Sequence, residues 1–358
     1  MDRREFLITS GGAAVAATSA VAAHATEPGE ASQTARETGA RVLRLSMPWA
    51  DTPQGPADSV RRLVRRFEIM TEGRYRIEIS SQAQDVAADA DLVHGTAHDF
   101  AGLHPAFAYF AGLPGSSGLG AQDFAHWIAV GGGQMLWDDL AGQHGWKPLL
   151  VGHSGEAPPL WSRQAIGGLG DLAGQRISAP GLGADVARAL GAEAIPVAPD
   201  DIAAAIQDGR IFAAETGLLT ALAGGVARSA HFATGTGLNG RGTALSLTVR
   251  LSVWESLPEH DRAILTAAAM EEYQASLAEG RAHEHVACRA LAATFGITFA
   301  PWPSDVAEAI DRVAEATIAH VAGQDALAAR IDQSYMAFRS ALQGATPPKR
   351  VPGSVALS

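Results

Sequence analysis

Between Arg41 and Ile79 the spacing of apolar residues changes period twice, and nothing else in the chain constrains the fold as much. Arg41-Val42-Leu43-Arg44-Leu45-Ser46-Met47 alternates apolar and polar residues, the period of a strand. Pro53-Gln54-Gly55-Pro56 breaks it, and from Asp58 to Thr71 apolar residues recur at helical spacing. Gly73 ends that run, and Arg74-Tyr75-Arg76-Ile77-Glu78-Ile79 alternates again. Strand, helix and strand in so short a span make a βαβ unit, so the sheet they build is at least partly parallel.

The same grammar recurs downstream. Trp146 to Gly152 and Gln175 to Pro180 read as buried strands, the second followed by Gly181-Leu182-Gly183 and a helix from Ala184 to Leu190. Asp200 to Asp208 reads as a helix stopped by Gly209, and Ile211-Phe212-Ala213-Ala214 as a strand. Thr243 to Val249 alternates through a longer strand, and Trp254 opens a helical region reaching about Ala293. From Asp305 to Leu342 the pattern is nearly all helix. This alternation predicts an α/β class with parallel sheets. A chain of 358 residues exceeds one comfortable core. Two lobes are expected, over 41–148 and 149–242, then a hinge strand and long connecting helix over 243–298, a C-terminal helical region over 299–342 and a disordered tail over 343–358.

Residues 1–25 set the compartment. Arg3 and Arg4 precede Phe6-Leu7, an uncharged Ala- and Gly-rich stretch runs from Ile8 to Ala23, and Ala23-His24-Ala25 is a small-x-small cleavage pattern. This reads as a secretory signal of the twin-arginine type, followed by a flexible leader over 26–40. The apolar stretch is shorter than the roughly 20 residues a spanning helix needs. The formal charge of −11 gives no electrostatic footprint for nucleic acid or an anionic membrane. Arg61, Arg62, Arg65 and Arg66 cluster, but interleave with Val60, Leu63, Val64 and Phe67 at helical spacing, which reads as a solvated helix face. Cys288, the single cysteine, sits in an Ala-rich helical stretch and reads as a small buried hydrophobe.

Enzyme signatures are missing: there is no Gly-x-Ser-x-Gly elbow, no Walker loop and no His-Glu-x-x-His pair. Gly131-Gly132-Gly133-Gln134 precedes a helix, and a tight helix entry fits it better than an anion cradle. His283-Glu284-His285 places its histidines on different sides of a helix, the wrong geometry for one metal. His94 and His98 are four apart, but lie in strand and loop rather than on one helix face.

Several blocks in fixed order carry more information. Gly131-Gly132-Gly133-Gln134-Met135-Leu136-Trp137-Asp138-Asp139-Leu140 leads to Trp146-Lys147-Pro148-Leu149, then Gly168-Leu169-Gly170-Asp171-Leu172-Ala173-Gly174 and Ala179-Pro180-Gly181-Leu182-Gly183. Ile206-Gln207-Asp208-Gly209-Arg210-Ile211-Phe212-Ala213-Ala214-Glu215 and Trp254-Glu255-Ser256-Leu257-Pro258 follow. Together they resemble the solute-binding proteins of TRAP (tripartite ATP-independent periplasmic) transporters, nearest the branch that binds 2-oxo acids. The resemblance spans roughly residues 41–342. It implies a two-lobed periplasmic solute-binding fold with a long hinge-spanning helix, a small organic ligand in the cleft, a membrane permease as partner, and a sodium or calcium ion bound with the ligand. It also implies a homodimer made by exchanging C-terminal helices, for which 305–342 is suitable; an ordinary packed hairpin is the other reading. A sensing or scavenging relative uncoupled from a permease, and a periplasmic enzyme on the same lobes, are the alternative functions.

The chain departs from that family where the ligand is held. The arginine that the resemblance implies two residues before the Pro-Gly-Leu-Gly turn is Ser178 here, and the glutamine after the Pro-Leu-Leu strand is Ala157. Glu215, on which the family's cation leans, remains, but Thr216 replaces the tryptophan that follows it. Losing one partner of a buried charge pair costs about 2–5 kcal/mol, so a simple 2-oxo acid is expected to bind poorly unless charge comes from elsewhere. Arg250, at the end of the long strand, and Arg163, after Trp161, are the candidates, each against an ordinary surface ion-pair role. The expected cleft residues are Trp161, Ser178, Glu215, Thr216 and Arg250, with His153 from the loop after Val151 and Phe107 or Tyr109 from the first lobe. The segment Ser80 to Ala90 is about ten residues shorter than the family's, which implies a less covered cleft.

Overall fold

A computed structural model describes residues 39–49, 56–81, 90–155 and 158–344. The signal and leader readings, Ala157 and most of the tail lie outside the described residues.

The period changes at the start produce the elements they imply: strand β1 (Arg41–Met47), helix α1 (Pro56–Met70) and strand β2 (Tyr75–Ser81). Strand β3 (Leu92–Thr96) follows, then helices α2 (Ala121–Ala129) and α3 (Gly133–Gly142) and strand β4 (Trp146–His153). Short strands β5 (Leu160–Ser162) and β6 (Arg176–Ser178), helix α4 (Leu182–Ala189), and strands β7 (Glu193–Ala194), β8 (Ala213–Glu215) and β9 (Phe232–Thr234) come next. The chain ends in strand β10 (Ala244–Arg250), the long helix α5 (Glu259–Phe295), strand β11 (Thr298–Ala300) and helices α6 (Ser304–Ala322) and α7 (Ala326–Gly344).

Two mixed sheets result. The first runs β2-β1-β3-β10-β4 and the second β11-β9-β5-β8-β6-β7. β1, β2 and β3 pair in parallel, as a βαβ unit requires, while β10 is inserted antiparallel between β3 and β4. The first sheet takes β4 whole, through His153, so the lobe boundary expected after residue 148 falls inside a strand. The chain changes sheet later, between His153 and Leu160, and returns between Thr234 and Ala244.

α5 joins the lobes as the expected long helix. At 37 residues it spans about 55 Å, and its two ends serve different cores. Ile264, Leu265, Ala268 and Ala269 pack with α1 and the first sheet, whereas Ala287 and Leu291 pack with the second. Cys288 is only half-buried there, not a core residue as expected. The arginine cluster on α1 is likewise not simply a solvated face. Arg62 and Arg66 reach Glu272 of α5, whose side chain is fully buried and also accepts from the Ser59 hydroxyl at 2.8 Å. Removing that carboxylate would strand two partly buried guanidinium groups, which Glu279 and Glu271 still partly neutralise. Glu272→Ala is therefore expected to destabilise by about 2–3 kcal/mol, read as a shift in denaturant midpoint.

The C-terminal helices return to their own chain. Val306, Ile310 and Ala314 of α6 belong to the second lobe's core, and Ile318 and Val321 to the first lobe's. On α7, Tyr335 is fully buried, takes the Leu119 amide on its hydroxyl at 2.7 Å and packs edge-on to Trp127. Asp332 accepts from the Tyr109 hydroxyl at 2.7 Å. Within the single chain this helix completes lobe 1, the arrangement of a packed hairpin.

Candidate functional site

The lobes meet where β6 and β8 end, beside the returning segment 235–243. Ser178 ends β6 and Glu215 ends β8, and the parallel pairing of these strands sets the two ends side by side. Both side chains are buried. The returning segment lies over them. Glu215 Oε2 accepts from the amides of Leu238 at 2.7 Å and Asn239 at 3.2 Å, while Oε1 has only a 3.4 Å contact with Asn239. Burial pushes the Glu215 carboxyl up from its ordinary value to about 7, against the opposing pull of those N–H donors.

Asn239 carries the connection onward. Its side chain donates to the Pro180 carbonyl at 2.9 Å and accepts from the Gly183 amide at 3.1 Å. It is wholly buried and ties the end of β8 to the Pro180-Gly181-Leu182-Gly183 turn that opens α4. Sequence reasoning did not single out Asn239. Its only signal is the Asn-Gly step at 239–240, which marks a turn but not what the turn packs against.

The expected cleft residues divide. Ser178, Glu215 and Thr216 stand together at the strand ends. His153 ends β4 opposite Ala244, beside the returning segment, with Gly242 packed against its ring. Trp161 is different: it is fully buried in the second lobe's core with Ile206 and Leu291, and meets Phe299 edge-on. Its indole N–H donates to the Thr216 carbonyl at 2.8 Å, so it packs behind the end of β8. Phe107 and Tyr109 are also core residues, in the first lobe.

Arg250 is misplaced by the sequence reading. It pairs opposite Trp146, at the other end of β10 from Ala244 and His153. Its guanidinium donates to the Ala90 carbonyl at 3.0 Å and lies over the Trp146 ring. Arg163 is exposed and donates to the Gln207 carbonyl at 3.3 Å. Neither arginine takes the place left by Ser178.

The other motifs resolve plainly. Gly131 and Gly133 are where Trp127 packs against the chain, and a side chain at either would crowd its ring, so the glycine run is a tight helix entry. His94 Nδ1 accepts from the Trp49 indole at 2.9 Å. The His94 proton then sits on Nε2, which removes it as a ligand for a metal shared with His98. Among the described residues, no three His, Cys, Asp or Glu side chains converge as a metal centre, and no helix is long and apolar enough to cross a membrane.

Comparison with known proteins agrees with this frame. The model of the DctP family, bacterial extracellular solute-binding protein family 7, matches residues 50–322. A monocarboxylate 2-oxoacid-binding periplasmic protein of Nostoc sp. is 25% identical over 350 residues, covering 95% of this chain and 94% of that protein. A TRAP transporter solute-binding protein of Bordetella bronchiseptica, a dimer with copurified calcium and picolinate in one site, superposes with a TM-score of 0.80 at 24% identity, covering 85% of this chain and 93% of its own. A TRAP periplasmic solute-binding protein of Pseudoalteromonas atlantica with bound sodium and pyruvate gives 0.78 at 22% identity, covering 85% and 95%.

Proposed function

This chain belongs to the bacterial extracellular solute-binding protein family 7, and from that premise we propose that it is the periplasmic receptor of a TRAP transporter that captures a small organic monocarboxylate between its lobes. The observation that carries this reading is the buried network Glu215–Asn239–Gly183, which joins the second lobe's strand ends to the returning hinge segment at the lobe junction. Such a network changes when the lobes move, so a ligand seated there selects the closed arrangement. The receptor binds and releases its ligand unchanged and hands it to the permease. The twin-arginine signal at Arg3 and Arg4 would deliver it to the periplasm folded.

A sodium or calcium ion bound with the ligand, as in the solved relatives, would use Oε1 of Glu215. Oε2 is taken by two amide donors, whereas Oε1 is nearly free of them, and its burial favours a compensating positive charge. The ligand and backbone oxygens would supply the rest of the coordination.

Native mass spectrometry of the purified mature protein, followed by thermal shifts with pyruvate and picolinate, each with and without sodium or calcium, tests the reading. The expected result is stabilisation by at least one monocarboxylate. Both acids are expected to bind more weakly than they would to an arginine at this position, because Ser178 cannot replace an arginine's paired donors. No stabilisation by either acid at millimolar concentration would refute the monocarboxylate reading. Turnover of a ligand by the purified protein would refute the receptor reading.

A further inference from the structure

His98 lies in the short helical turn Ala97–Phe100 that follows β3 in the first lobe. Both of its ring nitrogens are buried, and neither has a hydrogen-bond partner. The ring lies against Gly181 of the second lobe, so closely that a Cβ on that glycine would overlap it. Gly181, at φ +52, opens helix α4. Two groups from different lobes therefore meet only because one has no side chain.

A buried polar atom without a partner is costly, and each such group in a native fold calls for an explanation. What surrounds His98 points to an anion. The Ser178 hydroxyl, at the start of the same turn, makes no hydrogen bond to any described residue. The amides of Gly183 and Ala184 are spent on the Pro180 and Gly181 carbonyls and on Asn239, so α4 contributes to the turn only the positive end of its dipole. The neighbouring carboxylate, Asp99, is turned back onto the Thr96 amide at 2.8 Å and hydroxyl at 3.3 Å. An imidazole N–H and a hydroxyl stand beside the positive end of a helix dipole with no partner of their own, a set that suits a carboxylate.

We propose that His98 is the first lobe's donor to the carboxylate of the captured acid, closing onto Ser178 and the start of α4 and replacing the missing arginine from the opposite side of the cleft. The inference rests on the monocarboxylate reading above. It assigns the anchor to the lobe that moves toward the turn, so capture and closure are one event. Burial pushes the His98 ring down to about 4, so the donor is a neutral imidazole in the free protein.

The test is calorimetric titration of pyruvate and picolinate, in calcium-containing buffer, into wild type, His98→Phe and His98→Gln. His98→Phe keeps a ring of similar shape without a donor, and His98→Gln keeps a donor. Affinity for the bound acid is expected to fall about 10- to 100-fold in H98F and less in H98Q, the range of one hydrogen bond to a charged group. The ligand-free H98F protein is expected to melt no lower than wild type, because two unpaired nitrogens are gone. If H98F fails to fold, Gly181→Ala displaces the same ring from the other lobe and is expected to lose affinity equally. Binding by H98F or G181A within twofold of wild type overturns the His98 assignment and leaves the receptor reading intact. Wild type that binds neither acid overturns both.

Discussion

Gly242→Ala is expected to lower the stability of this protein by about 3–4 kcal/mol. Gly242 has φ +84, a conformation that costs an L-residue about 1 kcal/mol. A Cβ there would also overlap the Gly155 carbonyl oxygen and crowd the His153 ring. The obstacle is backbone, so no rotamer change relieves it. The two strands that cross between lobes are also tied at this point. The Ser154 amide donates to the Thr243 carbonyl, and the Thr243 amide donates to the Ser154 hydroxyl, both at 2.8 Å. Separating the strands to admit a methyl group would break both bonds. Gly280→Ala is the control: it lies inside α5 with nothing within 4 Å of its would-be Cβ, and should stabilise by about 0.5–1 kcal/mol. Thermal unfolding of the two variants beside wild type measures the difference. A G242A protein that melts with wild type would mean that the crossing is not held as the structure has it.

How much of this was legible in the sequence depended on how far each feature reached. The β1–α1–β2 unit was legible because its information is local: the period changes from two to 3.6 and back within one stretch. The two-lobed frame was legible from the ordered blocks. The arginine cluster was not, because Arg62 meets Glu272 across 210 positions, and no pattern on α1 shows that its polar face is covered by another helix.

Arg250 failed for a different reason. In a parallel unit the carboxyl ends of strands line the cleft, and a place for Arg250 there, at the end of the long strand, requires that strand to run the same way. β10, however, enters from the hinge and runs antiparallel to β3 and β4, so its first residue, Ala244, is at the cleft end and its last is remote. Ser178 and Glu215 lie on strands parallel to each other, and for them the rule places both at the junction. The spacing of His94 and His98 presents His98 only as a metal partner of His94. Its contact with Gly181 joins residues from two lobes, and local spacing carries no information about that.

Acid should destabilise the Glu215→Gln variant far more than wild type. His94 and His98 are both held down at about 4 by burial, so each contributes stability that is complete above the ordinary 6.5 and is lost as pH falls toward 4. Glu215 works the other way. Its carboxyl is held up at about 7, so its contribution is complete below the ordinary 4.5 and is lost as pH rises through 7. Between pH 7 and pH 5 the two histidines together remove about 4 kcal/mol, while Glu215 returns about 2. Wild type should therefore lose about 1–2 kcal/mol over that interval. E215Q keeps a side-chain oxygen to accept from the Leu238 and Asn239 amides but cannot titrate, so it should lose about 4 kcal/mol. H98F removes one of the opposing imidazoles and should lose almost nothing. Urea unfolding of the three proteins at both pH values gives the ranking directly. If E215Q and wild type fell in parallel, the Glu215 carboxyl would be ionised throughout and its burial already compensated. If H98F and wild type fell in parallel, the His98 ring would be solvated, and the contact with Gly181 would not seal it from water.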